Sequence, residues 1–189
     1  MRRALYIGRF QIFHNGHLDV IQSIAATPDV DAIVIALGSA QYDHEHKNPN
    51  TPWVVNPFTA AERIEMIQRA LNGRIQKPWA IYPVPDFHNW DRWYAYILDN
   101  LPEFHYLYSS SPREKAYFLR MGKEVRAIPI RFPFNAGVIR LELAQGKDIA
   151  NMVPQEVLAF LKRIDAAKRI RILLDRDQSV ANNLEGTQI

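Results

Sequence analysis

Hydrophobic positions along the chain fall in short blocks whose period switches between that of a strand and that of a helix. Residues 4–7 are an unbroken apolar run stopped by Gly8, the pattern of a buried strand. Over residues 17–26, Leu18, Ile21, Ile24 and Ala25 recur at helical spacing, and Thr27-Pro28-Asp29 closes that helix. A second Val- and Ile-rich run over 31–37 ends at Gly38, so the chain opens as strand, helix, strand, the unit of a parallel sheet. Thr59-Ala60-Ala61-Glu62 is a capping box and predicts a helix from about Ala60 to near Gly73. Strands are predicted over 79–84, 104–109 and 125–130. Helices are predicted over 91–100 and from the Ser111-Pro112-Arg113-Glu114 start to Gly122, where Ser111 is an N-cap and Glu114 a capping glutamate. Two more helices follow, over 137–145 and from Pro154 to about Ile172.

This alternation predicts an α/β fold, a doubly wound parallel sheet in one domain over 1–178 whose C-terminal part is helical from about 137. Residues 43–57 hold three prolines and no periodicity and read as a long surface loop, and 179–189 as a polar, disordered tail.

Composition narrows the chemistry. No cysteine occurs among the 189 residues, which removes disulfides, thiolate catalysis and Cys-based zinc sites. No apolar run approaches the ~18 residues of a membrane span, and the run after Arg2 and Arg3 is too short for a secretory signal, so a cytoplasmic protein is expected. The formal net charge is only +3, yet 16 of the 23 basic residues are arginine, whose planar fork matches phosphate and carboxylate oxygens. The eight glycines are spaced so that neither the G-x-G-x-x-G turn nor the G-x-x-x-x-G-K-[ST] loop exists.

Ligands of a doubly wound sheet collect at the carboxyl ends of its strands. At the end of the first strand stand Gly8-Arg9-Phe10-Gln11 and then His14-Asn15-Gly16-His17, at the entrance of a helix whose free N–H groups suit phosphate. Two imidazoles and Arg9 there make an anion clamp. The same residues also fit helix capping with a surface ion pair, or an incomplete zinc set. His44-Glu45-His46 reads as a solvated patch rather than a metal site. The basic residues Lys162, Arg163, Lys168, Arg169, Arg171 and Arg176, interspersed with Asp165, Asp175 and Asp177, read as a solvated or subunit-contacting helix rather than a nucleic-acid surface.

The His14-Asn15-Gly16-His17 stretch resembles the HxGH signature of nucleotidyltransferases, and most of the chain resembles the archaeal-type nicotinamide-nucleotide adenylyltransferases. Gly38-Ser39-Ala40-Gln41, the segment from Asn56 to Arg63, Pro83-Val84-Pro85-Asp86, Tyr108-Ser109 and Arg140 carry the likeness onward. It implies a Rossmann-like nucleotidyltransferase fold and transfer of AMP from ATP to nicotinamide mononucleotide, giving NAD and pyrophosphate. It assigns catalysis to Arg9, His14, His17 and Arg140, with ATP contacts from Gly8, Phe10, Gln11, Tyr108, Ser109 and Arg131 besides. Nicotinamide mononucleotide falls to Gly38, Ser39, Gln41, Phe58, Arg63, Asp86, Asn89, Trp90 and Trp93; spacing alone also fits Trp90 and Trp93 as core. Mg2+ is implied as carried mainly by ATP phosphates, and a homo-oligomer is expected, with neither membrane nor nucleic acid as partner. The chain departs from the family at Ile12, usually proline, in a longer 43–55 loop, at Ser110-Ser111, and at Asn135-Ala136-Gly137, where the family has Ser-Gly-Thr. The last change removes hydroxyls that grip phosphate, with Asn135 a partial substitute. A sister enzyme using another acceptor or CTP, and a non-catalytic nucleotide-binding paralogue, are the alternative readings.

Overall fold

A computed structural model describes residues 1–128, 131–132 and 134–185, with side chains described up to residue 180. The chain forms two compact units that interleave along the sequence. A sheet unit comprises Met1–Phe10, Asn15–Ala40 and Leu71–Pro133; a helical unit comprises Gln11–His14, Gln41–Ala70 and the chain from Phe134 onward.

In the sheet unit, β1 (Arg3–Gly8), β2 (Ala32–Leu37), β3 (Trp79–Pro83), β4 (Tyr106–Tyr108) and β5 (Glu124–Arg126) form one parallel sheet in the order β3-β2-β1-β4-β5. The doubly wound order expected from the alternation is therefore present, and its switch point lies between β1 and β4. Register sets the strand ends in line: Gly8 pairs with Leu37 and Leu37 with Pro83, while Tyr6 pairs with Tyr108. Every residue of β2 is buried, as a strand covered on both faces requires. Leu5, Val34 and Leu107, neighbours across the sheet, pack against Tyr94, Ile97 and Phe118 of α3 (Trp90–Asn100) and α4 (Pro112–Arg120). At the edge, Arg126 forks onto Asp29 at 2.8 and 2.7 Å and lies 3.4 Å from the centre of the Tyr106 ring. Of the strand read over 125–130, residues 129 and 130 lie outside the described residues.

The helical unit holds α2 (Ala60–Leu71) up to Ala70, α5 (Ala136–Ala144), α6 (Gln155–Arg163) and α7 (Ala166–Glu185). The single helix read from 154 to 172 is two. Its break is Asp165, held in the left-handed region at φ 48°, which interrupts the i→i−4 ladder and which Asp tolerates better than most residues. α7 then runs to Glu185, through residues read as a disordered tail from Ser179. Just before that stretch, Asp177 accepts the N–H groups of Trp53 and Val54 at 2.8 and 2.9 Å, and Arg176 lies over the Trp53 ring. Those partners form the 3-10 turn Trp53–Val55, the one regular piece described within the 43–57 loop.

Candidate active site

In the sheet unit the chain leaves β1 through Gly8, whose carbonyl accepts the Gly38 N–H at 2.9 Å, and turns sharply at Phe10, φ 51°. The Phe10 ring folds back over Gly8, so closely that a Cβ there would lie 2.7 Å from it, and meets Tyr6 and His17 edge-on at 5.7 and 5.0 Å between centroids. His17 stands in the first turn of α1 (Asn15–Ala26), a turn with no acidic residue, so the helix N-terminus keeps its positive end for an anion. Arg9 is exposed.

The neighbouring strand ends are shaped in the same way. Just past β2, Ser39 has φ 49° and sets its hydroxyl 3.5 Å from Asp86; past β3, Asp86 accepts the N–H of His88, itself at φ 50°. Three of the four non-glycine residues described with positive φ thus follow the carboxyl ends of β1, β2 and β3. Left-handed backbone costs about 1–2 kcal/mol per residue, and such strain gathers at functional sites.

Past the end of β4, the Ser109 hydroxyl donates to Glu114 at 2.5 Å and accepts the Ser111 N–H at 3.0 Å. Ser111 caps α4 as expected, but the Glu114 carboxylate turns to Ser109 rather than back to Ser111. Burial pushes the Glu114 carboxyl up, and burial beside Glu114 pushes the Tyr6 phenol up as well. Tyr108 is buried, its hydroxyl accepting from Arg126 at 3.4 Å.

Asn89 serves as the N-cap of α3, accepting the Arg92 N–H at 2.9 Å. Trp90 is 41% exposed and offers an indole face beside Trp93 and Tyr117, whereas Trp93 packs on the core against Phe118. Arg131 pairs with Asp19 at 3.0 Å and with the Ser23 hydroxyl, both on α1.

In the helical unit, residues 11–14 are all buried. The Gln11 carboxamide donates to the Phe58 carbonyl and accepts the Phe58 N–H, both at 3.0 Å, and Arg140 donates to the Gln11 carbonyl. The His14 ring lies edge-on to Phe134, and burial lowers its pKa to about 4, so it is a neutral hydrogen-bonding ring at pH 7. Arg63 is completely buried, with Nε donating to the Thr59 carbonyl at 3.3 Å. Gln41 is exposed. Asn135 spends its side-chain oxygen on capping α5, accepting the Gly137 N–H at 2.7 Å.

Comparison with known proteins follows the same lines. The cytidylyltransferase-like family model matches residues 5–120. A nicotinamide-nucleotide adenylyltransferase of Methanolobus tindarius is 37% identical over 180 residues, covering 94% of this chain and 98% of the relative. The chain belongs to the nicotinamide-nucleotide adenylyltransferase family. Members from Thermoplasma acidophilum and Thermococcus onnurineus are 34% and 32% identical, covering 95% and 99% of this chain and 96% and 92% of their own lengths. A crystal structure of a bifunctional NMN adenylyltransferase/ADP ribose pyrophosphatase from Francisella tularensis shares the fold, with TM-score 0.72 at 20% identity over 96% of this chain. A second, complexed with AMP and Mn ion, gives 0.68 at 21% over the same share. The chain spans about half the length of those two, 54%.

Family membership leaves the electrostatics to be read from these residues. Imidazole and guanidinium, the groups that the motif and Arg9 supply, suit oxyanions. Among the described residues, no cluster of three or more His, Asp or Glu is arranged to hold a metal ion. His46 is bonded to Asp43 at 3.1 Å, and His44 lies 3.8 Å from Glu45. Three basic residues of α6 and α7 have partners inside the unit: Arg163 with Glu65 at 2.6 Å, Arg169 with Glu62 at 2.7 Å, Arg171 with the Ala144 carbonyl at 3.1 Å. Among the described residues, no helix is long and apolar enough to cross a membrane.

Proposed function

We propose that this protein transfers AMP from ATP to nicotinamide mononucleotide, forming NAD and releasing pyrophosphate. The observation that carries the reading is the intact His14-to-His17 motif at the N-terminus of α1, directly after the central strand, in a chain whose relatives of near-equal length are named for this reaction. In the reaction an oxygen of the mononucleotide phosphate bonds to the α-phosphorus of ATP, and the bond from that phosphorus to the bridging oxygen of the β-phosphate breaks. The nucleophile is already an anion, so no base is needed to prepare it. The protein's work is to align two anions and to absorb charge as pyrophosphate departs.

The neutral His14 ring donates a hydrogen bond to a phosphate oxygen, and His17 does the same from the first turn of α1 beside that helix's N–H groups. Arg9 and Arg140 add fixed positive charge. A divalent cation, magnesium in this reading, would arrive on the nucleotide's phosphates and would supply further charge neutralisation there, since no cluster of three or more His, Asp or Glu among the described residues is arranged to hold it. Ser39, Asp86 and the exposed face of Trp90 receive the nicotinamide nucleotide. The protein acts in the cytoplasm as a homo-oligomer, which sedimentation velocity tests.

Incubating the protein with magnesium, ATP and nicotinamide mononucleotide should yield NAD and pyrophosphate in equal amounts. His17→Ala should lower kcat on the order of 10²–10³-fold with the melting temperature preserved, the loss seen when one donor to a developing charge is removed. No NAD from the wild type refutes the reading; turnover only with CTP or another acceptor replaces it with a sister transferase.

A further inference from the structure

Residues 11–14 form neither helix nor strand, so no backbone ladder fixes them, yet all four are buried. Side-chain bonds inside the helical unit hold them instead. The Gln11 carboxamide faces the Phe58 peptide as a neighbouring strand would, one bond given and one taken at 3.0 Å each, and only 3% of the residue is exposed. A tether with two bonded ends fixes orientation as well as distance. Phe58 is fixed in turn from α7. Arg169 donates to the Pro57 carbonyl at 3.3 Å and to both oxygens of Glu62 at 2.8 and 2.7 Å, and its guanidinium lies 5.8 Å from the centre of the Phe58 ring. Glu62 also accepts the Thr59 N–H at 2.9 Å. Direct contacts therefore run from α7 through Arg169, Pro57-Phe58 and Gln11 to the segment that ends at His14.

We infer that Gln11 and Arg169 are positioning residues, which set where His14 stands without touching substrate. The inference rests on the AMP transfer proposed above, and it reassigns Gln11 from the ATP contact that the family resemblance implies. One N–H and the oxygen of the carboxamide are engaged by Phe58, and the side chain is buried, as suits a group that holds its own segment. Arg169 acts at one remove, because Phe58 is where Gln11 finds its partner.

Three variants of the full-length protein test this: Gln11→Met, Arg169→Ala and Arg169→Lys. Gln11→Met should lower kcat on the order of 10²-fold, the loss expected when a catalytic group is displaced by about 1 Å. The KM for ATP should stay within about threefold, because no ground-state contact is lost. Arg169→Ala should lower kcat on the order of tenfold, and Arg169→Lys, which keeps a charge for Glu62, should recover part of that loss. A raised KM for ATP with kcat unchanged would place Gln11 on the nucleotide and overturn the inference. An unchanged kcat in both Gln11→Met and Arg169→Ala overturns it as well.

A readout independent of turnover is the His14 imidazole titration followed by NMR. Its pKa, about 4 through burial, should rise toward the ordinary histidine range in Gln11→Met and Arg169→Ala as the segment loosens and admits water. A His14 titration that does not move in the folded variants refutes the positioning role. If the wild type makes no NAD, the proposed function falls while this titration still decides the inference. If Gln11→Met does not fold, the two Arg169 variants decide it.

Discussion

Replacing Gly8 by alanine tests how tightly the end of β1 is fitted to the motif that follows. The added methyl would stand 2.7 Å from Cε1 and Cζ of Phe10 and 3.2 Å from Cδ1. Carbon atoms rest at about 3.5–4.0 Å, so the ring must retreat by roughly 0.8 Å or more. It has little room to do so: Phe10 is 1% exposed, wedged edge-on against Tyr6 and His17, on a backbone already at φ 51°. Overpacking of this kind costs about 1–3 kcal/mol, and in a chain of this size each kcal/mol lowers the melting temperature by roughly 2–4 °C. His17 rests on the displaced ring, so kcat for NAD formation should fall on the order of 10²-fold. Differential scanning calorimetry and an initial-rate assay on Gly8→Ala measure both effects. Adding Phe10→Leu should restore part of the lost stability, because the clash is with the ring. A Gly8→Ala protein with wild-type melting temperature and kcat refutes the account of this turn.

Other perturbations probe other parts. Arg126 holds the Asp29 carboxyl well below the usual carboxylate range through its hydrogen bonds, so the pair stabilises the fold above the unfolded pKa of 3.8 and ceases to as pH falls through the folded value. Asp29→Asn should therefore melt below wild type at pH 7, with the gap closing as the solution is acidified under 3.8; a gap constant down to pH 2 contradicts this. Asp165→Val should destabilise the protein by about 1–2 kcal/mol in urea, since a β-branched residue resists the left-handed backbone, whereas Asp165→Gly should hold or gain stability. Asp177→Ala removes two charge-assisted bonds to the Trp53–Val55 turn, each worth about 1.5 kcal/mol, so amide exchange at Trp53 and Val54 should quicken by about tenfold or more; unchanged exchange would show that the turn is held by other contacts.

Local chemistry was the legible part of the sequence. The capping box at Thr59 closes in both directions, Thr59 N–H to Glu62 at 2.9 Å and Glu62 N–H to the Thr59 hydroxyl at 3.2 Å, because both partners sit within one turn. The first strand and helix, and the turn at Gly38, were legible for the same reason. What escaped the sequence depends on distant partners. Glu114 has the position of a capping glutamate, but Ser109 lies closer to hand and takes the carboxylate. Asp165 carries no glycine to announce a left-handed residue, so two helices read as one. Gln11 stands among the residues of a phosphate motif, and nothing in its spacing reveals a partner 47 residues away. Arg169 and Asp177 looked like ordinary charges on a polar helix until the segments they grip were brought beside them.

The segment leading to His14 takes its native surroundings from partners far along the sequence. Gln11 must wait for Phe58, its backbone for Arg140, and Phe58 for Arg169. Contacts separated by 129 and 112 residues close late and slow folding. A chain interrupted before α7 could already pair β1 with β2 and yet hold an unformed motif. Competence for chemistry thus depends on a helix more than a hundred residues downstream of the motif.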